Sequence, residues 1–318
     1  TYPNKPVAQE VLLPLQEVLT QLGKQEEFSS YLALVKQSAS DMKGFEQLEF
    51  ETAKKLYFDE KYDAAISALS NFKQSYADSK YTNEAHYYQA ESQYRKKNWS
   101  EAVKLYEIIK SDKQFQFANR VAARIADCYF KQSNFVAAIP AYQYALQFAV
   151  NKRELFINYN GLMESHFNTS QYDSAAVYAQ FILDRANVNV AAENKASLYL
   201  GKVALAKGLF DAAQDEFLNT LNSARDENGA EAKYLLATIF YLRKDFKQCN
   251  ETLFSLNNDF SSYESWIGKS FLLLADSYLA QNEMFQAKAT LQSLIDNFPS
   301  ESVKQEARQK LQALEAKR

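Results

Sequence analysis

The stretch LGKVALAKGLFDAAQDEF, residues 200–217, places the small residue Gly201 twelve positions before a second small residue, Ala213, which follows Phe210 by three positions. The same pairing of a large residue with a small one three positions later recurs along the chain. The small residues of this column are Ala65, Ala102, Ala138, Ala175, Ala213, Cys249 and Ala287. They are separated by 37, 36, 37, 38, 36 and 38 positions, which indicates an internal structural repeat.

Two further columns keep the same phase. Twelve positions before each small residue stand Ala53, Ala90, Ala126, Met163, Gly201, Ala237 and Ala275. Eight positions before it stand Tyr57, Tyr94, Phe130, Phe167, Leu205, Tyr241 and Leu279. Small side chains let two helices approach closely, and large ones fill the space around the contact. The columns therefore predict pairs of helices in which each pair packs on the next.

The composition favours an all-α fold. Only seven glycines and five prolines occur in 318 residues, too few for the many turns of a β-rich protein. The net charge of −3 gives no electrostatic indication of nucleic-acid binding. No apolar run approaches the length of about 18 residues that a membrane-spanning helix needs, so no membrane span is predicted.

The chain resembles the tetratricopeptide repeat family at four places, namely Ile125–Phe130, Phe135–Ala138, residues 200–213 and Pro299. The resemblance implies a right-handed α–α superhelix, a solenoid of about seven helix-turn-helix repeats. A degenerate N-terminal unit and a C-terminal capping helix complete the expected all-α fold. The turn residues between paired helices are expected at Lys97-Asn98, Ser133-Asn134, Ser170-Gln171, Lys207-Gly208, Lys244-Asp245 and Asn282-Glu283.

The phase of the columns also predicts the domain organisation. Residues 1–6 are expected to form a linker, and residues 7–43 a degenerate repeat with Phe28, Leu32 and Val35 on its packing face. Seven repeats are expected over 44–300, at about 46–82, 83–118, 119–155, 156–193, 194–229, 230–267 and 268–300. Residues 301–318 are expected to cap the array with a narrow apolar stripe, Val303, Ala307, Leu311 and Leu314.

The period exceeds the usual 34 or so residues of this family. The spacing between columns places the extra residues in the second helix or in the loop after it. A longer second helix is similar to envelope-associated members of the family in Gram-negative bacteria, such as the outer-membrane assembly lipoprotein and the cell-division coordinator of the Tol–Pal system. The closing stretch, residues 271–299, also resembles such proteins. This resemblance implies a periplasmic or outer-membrane-associated location, with the cytoplasm as the alternative.

The sequence offers no recognisable catalytic or metal-binding pattern. The chain has only two histidines, His86 and His166, and two cysteines, Cys128 and Cys249. Their spacing does not match known metal-ligand motifs, and phosphate-binding and dinucleotide-binding glycine motifs are missing. We therefore expect neither an enzyme nor a bound cofactor or metal, and we expect both cysteines to be small buried residues rather than a disulfide.

The resemblance instead implies a concave groove, lined by first helices, that binds a protein or peptide partner. The candidate groove residues are Phe50, Lys54, Phe58, Tyr87, Glu91, Arg95, Arg120, Asp127, Lys131, Asn160 and Glu164. Three of them, Glu91, Asp127 and Glu164, share one column. We therefore predict an acidic strip suited to a basic or amide-rich peptide.

The leading functional hypothesis is a scaffold that binds proteins in the bacterial cell envelope. Two alternatives stay open, namely a cytoplasmic peptide-binding regulatory or sensor module and the accessory solenoid of a larger enzyme. A signal peptide or lipobox cysteine in the parent reading frame would favour the first hypothesis. A DNA-binding or kinase domain there would favour the second, and a hydrolase domain the third.

Overall fold

The structure is a computed structural model that describes residues 11–22, 25–37 and 45–316, and every regular element in these ranges is a helix. The all-α class is thereby confirmed for the described part of the chain. The predicted linker, residues 1–6, lies outside it. The chain divides into two compact units, Thr1–Phe148 and Ala149–Arg318.

The first unit contains eight described helices. They are α1 (Leu12–Gln21), α2 (Gln25–Gln37), α3 (Glu46–Phe58), α4 (Tyr62–Ser75), α5 (Thr82–Arg95), α6 (Trp99–Ile109), α7 (Ala118–Lys131) and α8 (Phe135–Leu146). Helices α3, α5 and α7 are the first helices of three pairs, and α4, α6 and α8 are their second helices.

The second unit contains nine described helices. They are α9 (Lys152–Asn168), α10 (Tyr172–Arg185), α11 (Val190–Ala206), α12 (Phe210–Ser223), α13 (Glu227–Leu242), α14 (Phe246–Asp259), α15 (Glu264–Ala280), α16 (Met284–Asn297) and α17 (Glu301–Glu315). Helices α9 to α16 form four pairs, and α17 follows the last of them.

The small-residue columns are where paired helices meet, as predicted. All seven residues of the first column have no solvent-exposed surface. The second column is equally buried. Its tightest point is Gly201 on α11, where an added Cβ would lie 2.5 Å from the ring of Phe217 on α12. A methyl group therefore cannot fit there unless that ring moves.

A left-handed residue ends the first helix of every pair. These residues, with φ between 55° and 74°, are Glu60, Lys97, Ser133, Ser170, Gly208, Lys244 and Asn282. The following amide donates back to the carbonyl five residues earlier, as from Asn98 to Gln93 at 2.9 Å, which is the Schellman arrangement. The predicted turns are confirmed.

The prediction of a longer second helix is wrong. In the second unit the first helices contain 17, 17, 16 and 17 residues, whereas their second helices contain 14 each. In this unit the extra residues lie after the connecting loop and lengthen the next first helix at its N-terminal end. In the first unit the first helices contain 13, 14 and 14 residues, and the loops after α4 and α6 are long, at residues 76–81 and 110–117. The predicted alternative, an insertion in the loop after the second helix, therefore fits the first unit. The spacing between columns fixes how many residues are inserted but not on which side of a loop they fall. Helix length therefore gives no support to the envelope-associated type.

Both ends of the array show the predicted apolar contacts. Near the N-terminus, Phe28 and Val35 on α2 are buried in a cluster with Leu12 and Leu19 of α1, and Leu32 packs against it. At the other end, the stripe on α17 packs on the last helix pair. Its members Val303, Ala307, Leu311 and Leu314 belong to one cluster with Leu272, Ala275, Leu291 and Leu294. The prediction that this stripe packs on the preceding helix pair is therefore confirmed, whereas the capping role of residues 301–318 stays a prediction.

Candidate interaction surface on the first helices

Two aromatic residues predicted to line the groove are core residues. Phe50 on α3 is fully buried, and its ring stacks on Tyr81 at 4.8 Å. Tyr87 on α5 is 1% exposed and stacks on Phe117 at 4.5 Å. Each ring packs against the segment that leads into the following first helix, so neither is available to a partner. Both predictions are corrected.

Glu91 on α5 is also buried, with 1% of its surface exposed. Its carboxylate accepts hydrogen bonds from Tyr106 Oη at 2.6 Å and from Arg124 Nε at 2.8 Å. Tyr57 Oη on the preceding first helix lies 3.4 Å away. Burial and the Glu91 charge together raise the pKa of Tyr106 well above its usual range, so the phenol remains a donor. Glu91 thus joins α3, α5, α6 and α7.

The other acids of the predicted strip are paired as well. Asp127 on α7 accepts a hydrogen bond from the Tyr94 hydroxyl and lies 3.7 Å from Lys131. In the second unit, the carboxylate of Glu164 lies 2.6 Å from Lys195 Nζ, and its side chain is only 16% exposed.

Asn160, another candidate groove residue, donates to Glu164 at 2.7 Å. The prediction of an acidic strip open to a partner is therefore corrected, because hydrogen bonds and ion pairs within each unit already engage all three carboxylates.

A different surface is open in the first unit. Phe58 at the end of α3 is 62% exposed, and its ring lies 5.6 Å from that of Tyr88 on α5. The ammonium group of Lys54 lies 5.5 Å from the Tyr88 ring and 3.2 Å from the carboxylate of Glu84. Arg95 lies at the exposed end of α5, and the nearby Tyr57 raises the pKa of its guanidinium. We call Lys54, Phe58, Tyr88 and Arg95 the aromatic–basic patch.

Two further predicted residues, Arg120 and Lys131, are exposed cations on α7. Arg120 donates to the Tyr87 hydroxyl at 3.0 Å, and Lys131 lies 5.6 Å from the ring of Trp99. Among the predicted groove residues, the exposed charged side chains are the cations Arg95, Arg120 and Lys131. Such a surface favours acidic rather than basic segments.

The sequence reading missed Arg124. Its guanidinium satisfies Glu91 and lies 4.0 Å from the ring of Tyr94. The available signal was its position 33 residues after Glu91, close to one repeat length. A base at that offset falls on the neighbouring first helix, where it can reach the acid.

The described residues contain no group of three or more His, Cys, Asp or Glu side chains that could hold a metal ion. Burial raises the pKa of the Cys128 thiol to about 12 and that of Cys249 to about 11. Both are buried free thiols, as predicted, and neither is activated as a nucleophile. Within the same residues, no helix combines the length and apolarity required to cross a bilayer.

Comparison with known proteins gives the class of this fold. A family model described as tetratricopeptide repeat matches residues 84–112, which span α5 and α6, and residues 269–300, which span α15 and α16. No curated protein matches the sequence.

Among solved structures, the C-terminal part of a TPR repeat-containing protein from Cytophaga hutchinsonii is 15% identical with a TM-score of 0.59. That match covers 80% of this chain and 98% of the other. A tetratricopeptide repeat protein from Parabacteroides merdae is 12% identical with a TM-score of 0.55, covering 85% and 98%. The apo quorum sensor NprR from B. thuringiensis is 15% identical with a TM-score of 0.54, covering 96% of both chains. At these identities the likeness concerns the fold alone.

The helix pairs, the buried small-residue columns and these matches define a protein built from helical repeats. Two of its helix pairs, α5–α6 and α15–α16, match the tetratricopeptide repeat model. Proteins built from such repeats typically bind other proteins or peptides, so the surfaces of the first helices are where a function is to be sought.

Proposed function

We propose that this chain is a non-catalytic module that binds partner proteins or peptides, and that the aromatic–basic patch takes part in binding. One observation carries the proposal: the exposed phenyl ring of Phe58 packs against Tyr88, while the exposed charged side chains at the predicted groove positions are the cations Arg95, Arg120 and Lys131. Exposed aromatic and Arg side chains are the types that dominate binding energy at protein interfaces. The preferred partner segment therefore combines an apolar or aromatic residue with Asp or Glu.

The proposal can be tested by selecting, from a displayed library of random peptides, those that bind the full chain. We expect selected peptides to pair acidic with apolar residues and to bind more weakly as salt rises, because exposed charges are screened within about 10 Å at 0.1 M salt. Arg95→Glu and Phe58→Ala should each weaken binding about tenfold or more, equivalent to about 1.4 kcal/mol.

Lys104→Glu is the matched control, since Lys104 is an exposed lysine on the second helix α6 with 69% of its side chain accessible. Selection of basic peptides, or equal affinities for Arg95→Glu and Lys104→Glu, would contradict the proposal.

We further propose a location in the bacterial cell envelope, supported by the resemblance of residues 271–299 to envelope-associated repeat proteins. A signal peptide or lipobox in the parent reading frame, followed by fractionation of the native protein, tests the location separately from binding. Recovery of the native protein in the cytoplasmic fraction would favour a regulatory peptide-binding role.

A further inference from the structure

The second unit contains a half-open pocket of about 410 Å³ in its last helix pair. The pocket is lined by residues of α14, α15 and α16, whereas the aromatic–basic patch belongs to the first unit. Its walls include Phe254, Phe271, Tyr278, Thr290, Ser293 and Phe298, and no charged side chain lines it. Pockets of this size and composition bury small, largely apolar groups.

The repeat allows this pocket to be compared with the same place in other pairs. Relative to the small residue Ala287, Phe271 stands sixteen positions earlier and Tyr278 nine positions earlier, whereas Thr290 and Ser293 stand three and six positions later. In the pair α9–α10 the corresponding residues are Tyr159, His166, Tyr178 and Phe181. The two positions on the second helix therefore carry aromatic rings in one pair and small hydroxyl residues in the other.

In the pair α9–α10, the rings of Tyr178 and Phe181 themselves occupy the space that corresponds to the pocket. Tyr178 stacks on His166 with ring centroids 5.4 Å apart, and Phe181 lies 5.5 Å from Tyr159. In the pair α13–α14 the same place holds Lys233, which donates to Ser255 at 2.6 Å. In the last pair, Thr290 and Ser293 supply no ring at the second-helix positions, and Phe271 stands where α13–α14 has Lys233. Its Phe254 wall remains 46% exposed.

From this difference we infer that the last-repeat pocket binds an aromatic side chain of a partner protein, which takes the place that Tyr178 and Phe181 occupy in α9–α10. The walls Phe271 and Tyr278 provide aromatic surfaces for offset or edge-to-face contact with such a ring. Ser293 and Asn297 supply polar groups at the rim, which suit the hydroxyl of tyrosine or the ring N–H of tryptophan. The lack of charge in the lining disfavours a charged side chain, because its desolvation would not be compensated.

Protein-observed NMR of methyl groups on the full chain provides the test. The probe is a five-residue peptide with one tryptophan between alanines, blocked at both ends, compared with the same peptide carrying leucine and with N-acetyltryptophanamide. We expect saturable ring-current shifts at the methyl groups of Leu274, Ala289 and Leu294, which all line the pocket. The leucine peptide should bind at least about tenfold more weakly.

The double variant Thr290→Tyr/Ser293→Phe fills the pocket with the residues found in α9–α10 and should abolish the shifts. Gln292→Phe is the control, because Gln292 lies on the same helix but is exposed and does not line the pocket. If the double variant does not fold, Ser293→Phe alone serves the same purpose.

Absence of saturable shifts in the unmodified chain would overturn the inference, as would equal binding of the leucine peptide. Binding of N-acetyltryptophanamide as tight as that of the tryptophan peptide would overturn the assignment to a partner side chain and indicate a small aromatic molecule instead. Because Arg95→Glu leaves this pocket intact, failure of the inference and failure of the proposed function are distinguishable.

Discussion

Replacement of Glu91 by alanine should destabilise the first unit far more than any exposed charge substitution. The variant leaves the Arg124 guanidinium, whose side chain is 26% exposed, without its carboxylate partner. It also removes the acceptor of the fully buried Tyr106 hydroxyl. Removing one member of a buried ion pair costs about 3–5 kcal/mol. Because Arg124 keeps some contact with solvent, we expect a loss of about 3 kcal/mol in the free energy of unfolding.

The double variant Glu91→Leu/Arg124→Met separates the interaction from its members. Each single replacement leaves a partly or fully buried charge unpaired, whereas the double replacement leaves none. The double variant should therefore be more stable than the sum of the single variants predicts, with a coupling energy of about 1–3 kcal/mol. Glu101→Ala is the control, since Glu101 pairs with Lys104 on the surface, with side chains 55% and 69% exposed. Its loss should cost at most about 0.5 kcal/mol.

Urea denaturation followed by the fluorescence of Trp99 provides the measurement. Trp99 begins α6 and lies 5.0 Å from the ring of Tyr94, which contacts Arg124. A Trp266→Phe background removes the other tryptophan, which belongs to the second unit. Repeat arrays can unfold in parts, so the local probe is preferable to a global signal. If Glu91→Ala costs no more than Glu101→Ala, the buried network does not hold these helices together.

Three further substitutions test other parts of the fold. Ala138→Trp should cost at least about 1–3 kcal/mol in thermal or urea unfolding, because the site is fully buried between paired helices; a neutral effect would contradict the column assignment. Gly208→Ala should cost about 1 kcal/mol by the same assay, since φ is 74° and an added Cβ would meet nothing within 4 Å, whereas Ser133→Gly should be neutral or stabilising. Burial lowers the pKa of Lys73 to about 8, so the unfolded chain binds more protons between about pH 8 and 10.5 and stability rises with pH across that range. Because Lys73 also donates a hydrogen bond to Gln89 at 2.6 Å, Lys73→Met is expected to remove this pH dependence and not to raise stability at every pH. A melting temperature of the variant that still rises as much as that of the unmodified chain between about pH 8 and 10.5 would refute the linkage.

The repeat itself was predictable because it depends on side-chain size, which is visible in the sequence. Ala138 and Gly201 mark helix contacts wherever the chain folds into pairs, and no distant residue needs to be known. The stripe on α17 was predictable for the same reason, since a helix that packs on the preceding pair needs one apolar face. Turn positions such as Ser133 followed from the same register.

The interaction surface was less predictable, because exposure depends on residues from neighbouring pairs. Phe50 and Phe58 lie on one helix and look equivalent in sequence, yet Tyr81 covers only the first. The sequence places Glu91 among the groove acids, but in the structure its carboxylate is buried and paired with Arg124. The helix lengths failed in a similar way, since counting residues between two columns does not locate the loop between them.

The pairing of acids with bases about one repeat later has a consequence for experiments on function. Besides Glu91 and Arg124, the carboxylate of Asp276 in the second unit accepts two hydrogen bonds of 2.8 Å from Lys310, 34 residues later. Such pairs tie one helix to the next and respond to substitution by loss of stability. Phe58 is mostly exposed, so its replacement by alanine removes apolar surface from solvent contact without opening a core cavity. A substitution that weakens peptide binding and leaves the unfolding curve unchanged is therefore expected at Phe58 and not at Glu91, and this difference separates the residues that recognise a partner from those that hold the repeats together.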